Sequence, residues 1–243
     1  MAKQRIDILL ARRELAESRE KAKILVMAGA VYAEGQRVAK PDQRFDEGVS
    51  LQVRTGALPF VSFGGVKLRH AIENLGITVN GKTALDVGSS TGGFVDCLLQ
   101  SGAARVFAVD VGMHQLHEKL RRDPRVIMLE DVNARYLKPE QVGEMVDLIT
   151  VDVSFISLKK ILPAVVPLLN DNGLLVTLVK PQFEVGRYHV GKGGIVKDSE
   201  RIQAVLGEIT SFGEGLGLKP VGVVEAPREK ERKNREYFIK WER

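Results

Sequence analysis

The chain has a single cysteine, Cys97, among 243 residues, so it can form no internal disulfide. A reducing compartment fits that usage. Cys97 falls inside a helical apolar pattern, where a small buried hydrophobe is favoured over a reactive thiol. No apolar core follows the opening Met1-Ala-Lys-Gln-Arg, which argues against a secretory leader. The most apolar stretch, Ile161 to Leu169, is interrupted by Pro163 and Pro167 and is too short to span a bilayer. No internal repeat and no low-complexity segment occurs. A cytoplasmic protein away from the membrane is therefore expected. The formal charge of +5 is modest; residues 1–60 carry eleven Lys/Arg against eight Asp/Glu, or +3 of that total. This excess permits a polyanionic partner without requiring one.

Two familiar nucleotide signatures are also missing, the dinucleotide Gly-x-Gly-x-x-Gly and the Walker lysine-serine pair. In their place stands Ala84-Leu-Asp-Val-Gly-Ser-Ser-Thr-Gly-Gly-Phe94. An apolar run enters the glycines, and Phe94, Val95, Leu98 and Leu99 follow at helical spacing. The order strand, glycine turn, helix opens a nucleotide-binding βαβ unit. Glycine permits tight turning and close approach to a ligand, and a helix start offers free N–H groups. The next strand, 106–110, ends in Asp110, about 20 residues after the turn, where an acidic side chain reaches a ribose. Strands over 125–129 and 148–152 end at Glu130-Asp131 and Asp152. Carboxylates at successive strand ends, with no phosphate-binding lysine, suit a nucleoside bearing a cationic centre. S-adenosylmethionine is such a ligand. Strand-end caps in a plain α/β fold are the simpler alternative. No metal site is read.

Along the chain, residues 5–16 place Ile6, Leu9, Leu10 and Leu15 on one helical face. Ser18 begins a second helix that stops at Gly29. A hairpin turns at Glu34-Gly35, and a strand covers 49–53. Arg12, Arg13, Arg19, Lys21 and Lys23 crowd the helices; a solvated charged face is the plain reading. The order Arg5-Ile6-Asp7, Ser18-Arg19, Gly29-Ala-Val31 and Gly35-Gln-Arg-Val-Ala-Lys40-Pro41 resembles the S-four-type RNA-binding domain. That resemblance implies recognition of folded RNA, with Arg5, Arg12, Arg13, Arg19, Lys21, Lys23 and Lys40 as the contacting residues.

Beyond a linker at 55–63, a helix is expected over 64–75 and a proline-containing helix over 158–169. A turn is expected at 170–173, a fifth strand over 174–179, and a glycine-rich loop over 182–197. A helix over 199–216 and strands over 220–225 and 236–241 complete the pattern. Lys67 precedes the first strand of the sheet, Asp152 ends the fourth, Lys180 the fifth, and Glu236 opens the last. Ligands bind at strand carboxyl ends in such sheets. A lysine closing an apolar strand can serve as a base, because partial burial disfavours its charge. For each residue taken alone, an ordinary surface ion pair is the competing reading.

Taken together, the Lys-Asp-Lys-Glu set is similar to that of the FtsJ-type ribose methyltransferases. With the front module added, the full length resembles the TlyA/hemolysin A family of ribosomal RNA 2′-O-methyltransferases. The resemblance rests on Val61-Ser62-x-Gly64-Gly65-x-Lys67, Val109-Asp110-Val-Gly112, Asp152-Val-Ser154-Phe155-Ile-Ser157, Val179-Lys180-Pro-Gln-Phe183-Glu184 and Asn234-Arg235-Glu236, besides the glycine turn. It implies S-adenosylmethionine-dependent methylation of a cytidine ribose in ribosomal RNA or ribosomal subunits. Lys180 is then the base, with Lys67, Asp152 and Glu236 completing the catalytic set. The cofactor contacts implied are Asp86, Gly88, Ser89, Ser90, Thr91, Gly92, Gly93, Phe94, Asp110, Val111, Asp131, Val132 and Asp152. The fold class is α/β: a Rossmann-like methyltransferase sheet (64–243) preceded by a small α+β RNA-binding domain (1–54). Two departures from the family stand out. Phe63 replaces a linker arginine, and the charge run Ala226 to Lys233 replaces a Ser-Pro-Ile loop before Glu236. An RNA-binding assembly factor with an inactive methyltransferase fold is the alternative; a pore-forming haemolysin is disfavoured by the lack of any spanning or long amphipathic segment. The oligomeric state is not read from the sequence.

Overall fold

Apolar runs that end in a polar residue become strands buried on both faces, as parallel sheets require. A computed structural model describes residues 3–16, 18–27, 29–53, 60–186, 190–191, 193–229 and 233–243. The front module contains β1 (Lys3–Arg5), α1 (Ile6–Arg12), α2 (Arg19–Met27), β2 (Val31–Ala33), β3 (Gln36–Arg37), β4 (Arg44–Asp46) and β5 (Leu51–Val53). The following unit runs α3 (Phe63–Asn74), β6 (Thr83–Val87), α4 (Gly93–Gln100), β7 (Arg105–Val109), α5 (Glu118–Arg121), β8 (Val126–Leu129) and α6 (Pro139–Val142). It continues through β9 (Val146–Val151), α7 (Leu162–Val165), β10 (Leu169–Val179), α8 (Pro181–Glu184), α9 (Ser199–Glu214), β11 (Lys219–Glu225) and β12 (Tyr237–Glu242).

The large sheet has the order β11-β12-β10-β9-β6-β7-β8. Its five strands from β10 to β8 are parallel, and β12 lies antiparallel between β10 and β11. The period of two assigns alternate residues to opposite faces. Ala84, Val106, Leu148 and Val176 pack with α3 and α4, while Leu85, Phe107, Ile149 and Leu175 pack with α7 and α9. The chain moves outward from β6 to β7 and β8, then returns to β9 on the other side of β6. That reversal places a crevice at the carboxyl ends of β6 and β9. The sheet carries the expected fold class.

Several local expectations change. The 170–173 segment lies within β10 rather than in a turn, and the ladder to β9 shifts register between Leu169 and Leu174. The Leu169 side chain and the Asn170 carbonyl occupy the space that a Cβ on Gly173 would need, so the irregularity is packed rather than looped out. The expected helix over 158–169 is broken into two 3-10 turns flanking α7, with Pro163 and Pro167 in opening positions of these short helices. In the glycine-rich segment the structure has the short α8, and residues 187–189 and 192 lie outside the described set.

In the front module α1 is shorter than expected. Glu14 turns into the left-handed region and leaves Leu15 exposed. The hairpin at Glu34-Gly35 has both residues at positive φ, the geometry that matches strand twist. A two-stranded ribbon, β1 paired antiparallel with β4, went unread because each strand is only three residues long. The linker stretch 54–59 lies outside the described residues, whereas Phe60 is already packed into the core against α3.

Candidate active site

The glycine turn explains itself first. Gly88 has φ +86, and a Cβ there would sit 2.4 Å from the Asp152 carbonyl oxygen. Gly92 has φ +93, and its Cβ would collide with Leu120 at 2.2 Å. A Cβ on Gly93 would meet Ser62 Oγ at 2.2 Å. The sequence reading assigned these glycines to ligand approach. In the structure they are required by close packing of β6 on β9, of the turn on α5, and of α4 on the start of α3. The Asp152 N–H donates to the Val87 carbonyl at 2.9 Å, which locks the ends of β9 and β6 together.

Two recesses open at these strand ends. The larger is an open cleft of about 760 Å³ including its solvent-facing mouth. The glycine turn, the start of α3 with Lys67, and residues 226–229, 233, 234 and 236 form its walls, and Asp152 lines it. The smaller, about 210 Å³, has Ala108, Leu116 and Met128 beside Asp110, Gly112, Gln115 and Glu130. Ser89 and Ser90 line both.

All four residues of the expected catalytic set are held in two ion pairs. Lys180, 9% exposed, places Nζ 2.5 Å from Asp152 Oδ1 and donates to Ser154 Oγ at 2.9 Å. Asp152 Oδ1 is buried and has no well-aligned hydrogen bond, so its contact with Lys180 is one of charge. On the other wall Lys67 Nζ donates to Glu236 Oε2 at 2.6 Å. Gln182, two residues beyond Lys180, donates to Glu236 Oε1 at 3.4 Å.

The acidic strand ends divide differently from the expectation. Asp110 is fixed by its own loop: Ser90 N donates to Oδ2 and Gly112 N to Oδ1, each at 2.7 Å. Each oxygen keeps a second acceptor site for a ligand hydroxyl. Asp131 is exposed, with φ +58, and lines neither recess; Val111 and Val132 do not line them either. The preceding Glu130 takes that place, tied to Arg121 at 2.7 Å and to the His114 N–H at 3.1 Å. Asp86 is fully buried in β6; Thr150 Oγ1 donates to Oδ1 at 2.6 Å, and Oδ2 has no hydrogen-bond partner among the described residues. Burial pushes its pKa up to about 8, against the pull of the Thr150 hydroxyl, and the charges of Asp152 and Asp110 add to the rise. Cys97 is buried, and burial raises its thiol to about 12, so it is inert.

Sequence reasoning gave Phe155 no role. Its φ of +65 is rare for an aromatic residue, and its ring is 90% exposed one residue beyond Ser154. The Phe183 ring lies 4.9 Å from it, centroid to centroid. Nothing in the residue spacing signals that backbone.

The front module's basic residues are mostly engaged within the module. Arg5 donates to both oxygens of Asp7, at 3.0 and 3.2 Å, and Arg19 Nε donates to Oδ2 at 2.8 Å. Arg13 caps the carbonyls of Val49, at 2.6 Å, and Glu47. Arg12 pairs with Glu47 at the surface, and Lys40 is exposed. Lys23 is half-buried, and the side chain of Lys21 lies outside the described residues.

With this geometry the comparisons become decisive. A model of FtsJ-like methyltransferases matches residues 60–243, and a model of the S4 domain matches residues 4–51. The chain is 45% identical over 237 residues to the 16S/23S rRNA (cytidine-2′-O)-methyltransferase TlyA of Mycobacterium tuberculosis, covering 97% of this chain and 88% of the relative. The chain belongs to the TlyA/hemolysin A family of FtsJ-like methyltransferases. It is also 39% identical over 235 residues to Hemolysin A of Brachyspira hyodysenteriae, covering 96% and 98% of the two chains. A solved protein of Streptococcus thermophilus that carries the hemolysin name superposes with TM-score 0.74 at 41% identity, over 100% of this chain and 89% of its own. An S-adenosylmethionine-dependent methyltransferase of Listeria monocytogenes shares the fold, with TM-score 0.56 at 17% identity, covering 74% and 98%. Among the described residues no helix is long and apolar enough to cross a membrane, and no cluster of residues could hold a metal.

The fold and family imply use of S-adenosylmethionine, and the residues fit it. The smaller recess offers apolar contacts for a purine and carboxylates for hydroxyls, with no lysine or arginine in its lining. Asp152 supplies negative charge in the adjoining cleft, which suits a cationic group.

Proposed function

We propose that this protein transfers a methyl group from S-adenosylmethionine to the 2′-hydroxyl of a cytidine ribose in ribosomal RNA. The observation that carries this reading is the Lys180–Asp152 ion pair at the carboxyl ends of β10 and β9, opposite Lys67–Glu236. Asp110 and Glu130 would hold the adenosine end, and Ser89, Ser90 and Asp152 the amino-acid end. When bound, the cofactor supplies a methyl group on a cationic sulfur. A ribose hydroxyl attacks such a methyl readily only as it loses its proton. In its neutral form Lys180 accepts that proton, and Asp152 offsets the positive charge that results. Ser154 fixes the lysine's orientation, and Lys67 with Glu236 orients the hydroxyl from the other wall. The exposed Phe155 ring beside Ser154 offers a face on which a nucleobase can stack. Of the front module's basic residues, Arg12 and Lys40 present charge toward phosphate, while Arg5, Arg13 and Arg19 hold the module's shape.

The test is incubation with methyl-labelled S-adenosylmethionine and unmodified ribosomal subunits. Label recovered in a nuclease-resistant 2′-O-methyl cytidine dinucleotide is the expected result. Cofactor binding with no label on either subunit would replace this reading with that of an RNA-binding assembly factor.

A further inference from the structure

The loop that follows β9 must carry Ser154 and Phe155 into place, and its backbone passes through the left-handed region at Phe155. Such a conformation persists only where the surroundings over-determine it. At its start the loop is fixed by the Asp152 N–H bond to Val87. At its end it is fixed by one residue of α8. Glu184 accepts the Ser157 hydroxyl on Oε2 at 2.6 Å and the Leu158 N–H on Oε1 at 2.8 Å. Phe183 adds the ring contact to Phe155. The residues that begin α8 follow Lys180 directly, so one short segment carries both the lysine and the clasp on the loop that holds it.

We propose that Glu184 is a positioning residue: by clasping Ser157 and Leu158 it holds the Ser154–Phe155 turn against Lys180. The proposal rests on the methyltransferase reading. Glu184 touches neither recess, so it acts through Ser154 and Phe155 and not on substrate or cofactor. A carboxylate suits the task because it accepts twice with short, strong bonds. The substitution Glu184→Gln would keep one acceptor for Leu158 and turn an amide N–H₂ toward the Ser157 oxygen, leaving the clasp weakened but closed.

The experiment compares the full-length wild type with Glu184→Ala, Glu184→Gln and the double variant Glu184→Ala/Ser154→Ala. The readouts are single-turnover methyl transfer to ribosomal subunits, S-adenosylmethionine affinity and thermal melting. Glu184→Ala is expected to slow transfer about 10–100-fold while cofactor affinity stays within about twofold. Glu184→Gln recovers most of the rate, and Ser154→Ala added to Glu184→Ala slows it little further, because coupled residues are not additive. Transfer by Glu184→Ala at the wild-type rate overturns the proposal. Parallel loss of rate, cofactor affinity and melting temperature in both single variants also overturns it, since that marks a structural cap. If Glu184→Ala does not fold, Ser157→Ala, which removes one arm of the clasp, takes its place: transfer slowed about tenfold with unchanged cofactor affinity supports the proposal, and the wild-type rate refutes it. A wild type that transfers no label fails the methyltransferase reading itself, a result distinct from any variant's.

Discussion

Two aspartates in this chain are equally sealed from water and held in opposite ways. Asp7, in the front module, and Asp86, in β6, both have no exposed surface. Asp7 lies shallow, beneath two guanidinium groups. Burial pushes its carboxyl up, but Arg5 and Arg19 outweigh that and hold it below the usual carboxylate range. Asp86 lies deep in the sheet with one hydroxyl for company, and its pKa rises to about 8. The front module spends its arginines on its own architecture. The large sheet leaves a carboxyl incompletely satisfied directly below the glycine turn, a form of local cost found at functional sites.

One way to break this contrast is Asp7→Ala. Removing the shared partner of two arginines costs the module about 3 kcal/mol, at the low end for a buried pair because both arginines are partly exposed. Differential melting should show the front module unfolding early while methyl-donor binding to the sheet persists. In the wild type, the stability from Asp7 is present above the usual carboxylate range and is lost as pH falls below it, because its folded pKa is depressed.

Asp86 predicts the reverse dependence. Its folded pKa is about 8 against an ordinary 3.8, so the native state keeps a proton that the unfolded chain releases. Stability from this group is fullest in acid and falls as pH rises from about 4 to about 8. Asp86→Asn keeps an acceptor for Thr150 and removes the titration. Its melting temperature should exceed the wild type's increasingly from pH 5 to pH 8, by roughly 2–4 °C per kcal/mol relieved. A melting difference that stays flat across that range would erase the contrast between the two sites.

The same contrast marks what could be read from residue order. Apolar runs with polar ends gave away the strands of the sheet, and Lys180 stood out because partial burial at the end of such a run disfavours a lysine's charge. Helical spacing after the glycine turn located α4 within a residue. Partner choice was hidden. Arg5 and Arg19 are RNA contacts on the resemblance alone, and their pairing with Asp7 is set by how α1 and α2 pack. The glycines were read as space for a ligand, whereas their neighbours are Asp152, Leu120 and Ser62, distant in sequence. Glu130 and Asp131 are adjacent carboxylates, and only the left-handed backbone at Asp131 decides which one faces the recess. Phe155 depends on the same kind of turn. Three-residue strands such as β1 and β4 carry too few positions for a period of two to register.

In the proposed reaction Lys180 takes the proton of the attacking ribose hydroxyl. The most direct measurement is the single-turnover rate of methyl transfer from saturating labelled S-adenosylmethionine to unmodified ribosomal subunits, for the wild type and Lys180→Ala. The account predicts a loss of about 10²–10⁴-fold, the usual range for a general base, with cofactor affinity unchanged. A Lys180→Ala rate within tenfold of the wild type would contradict that role and assign the proton acceptor to another residue.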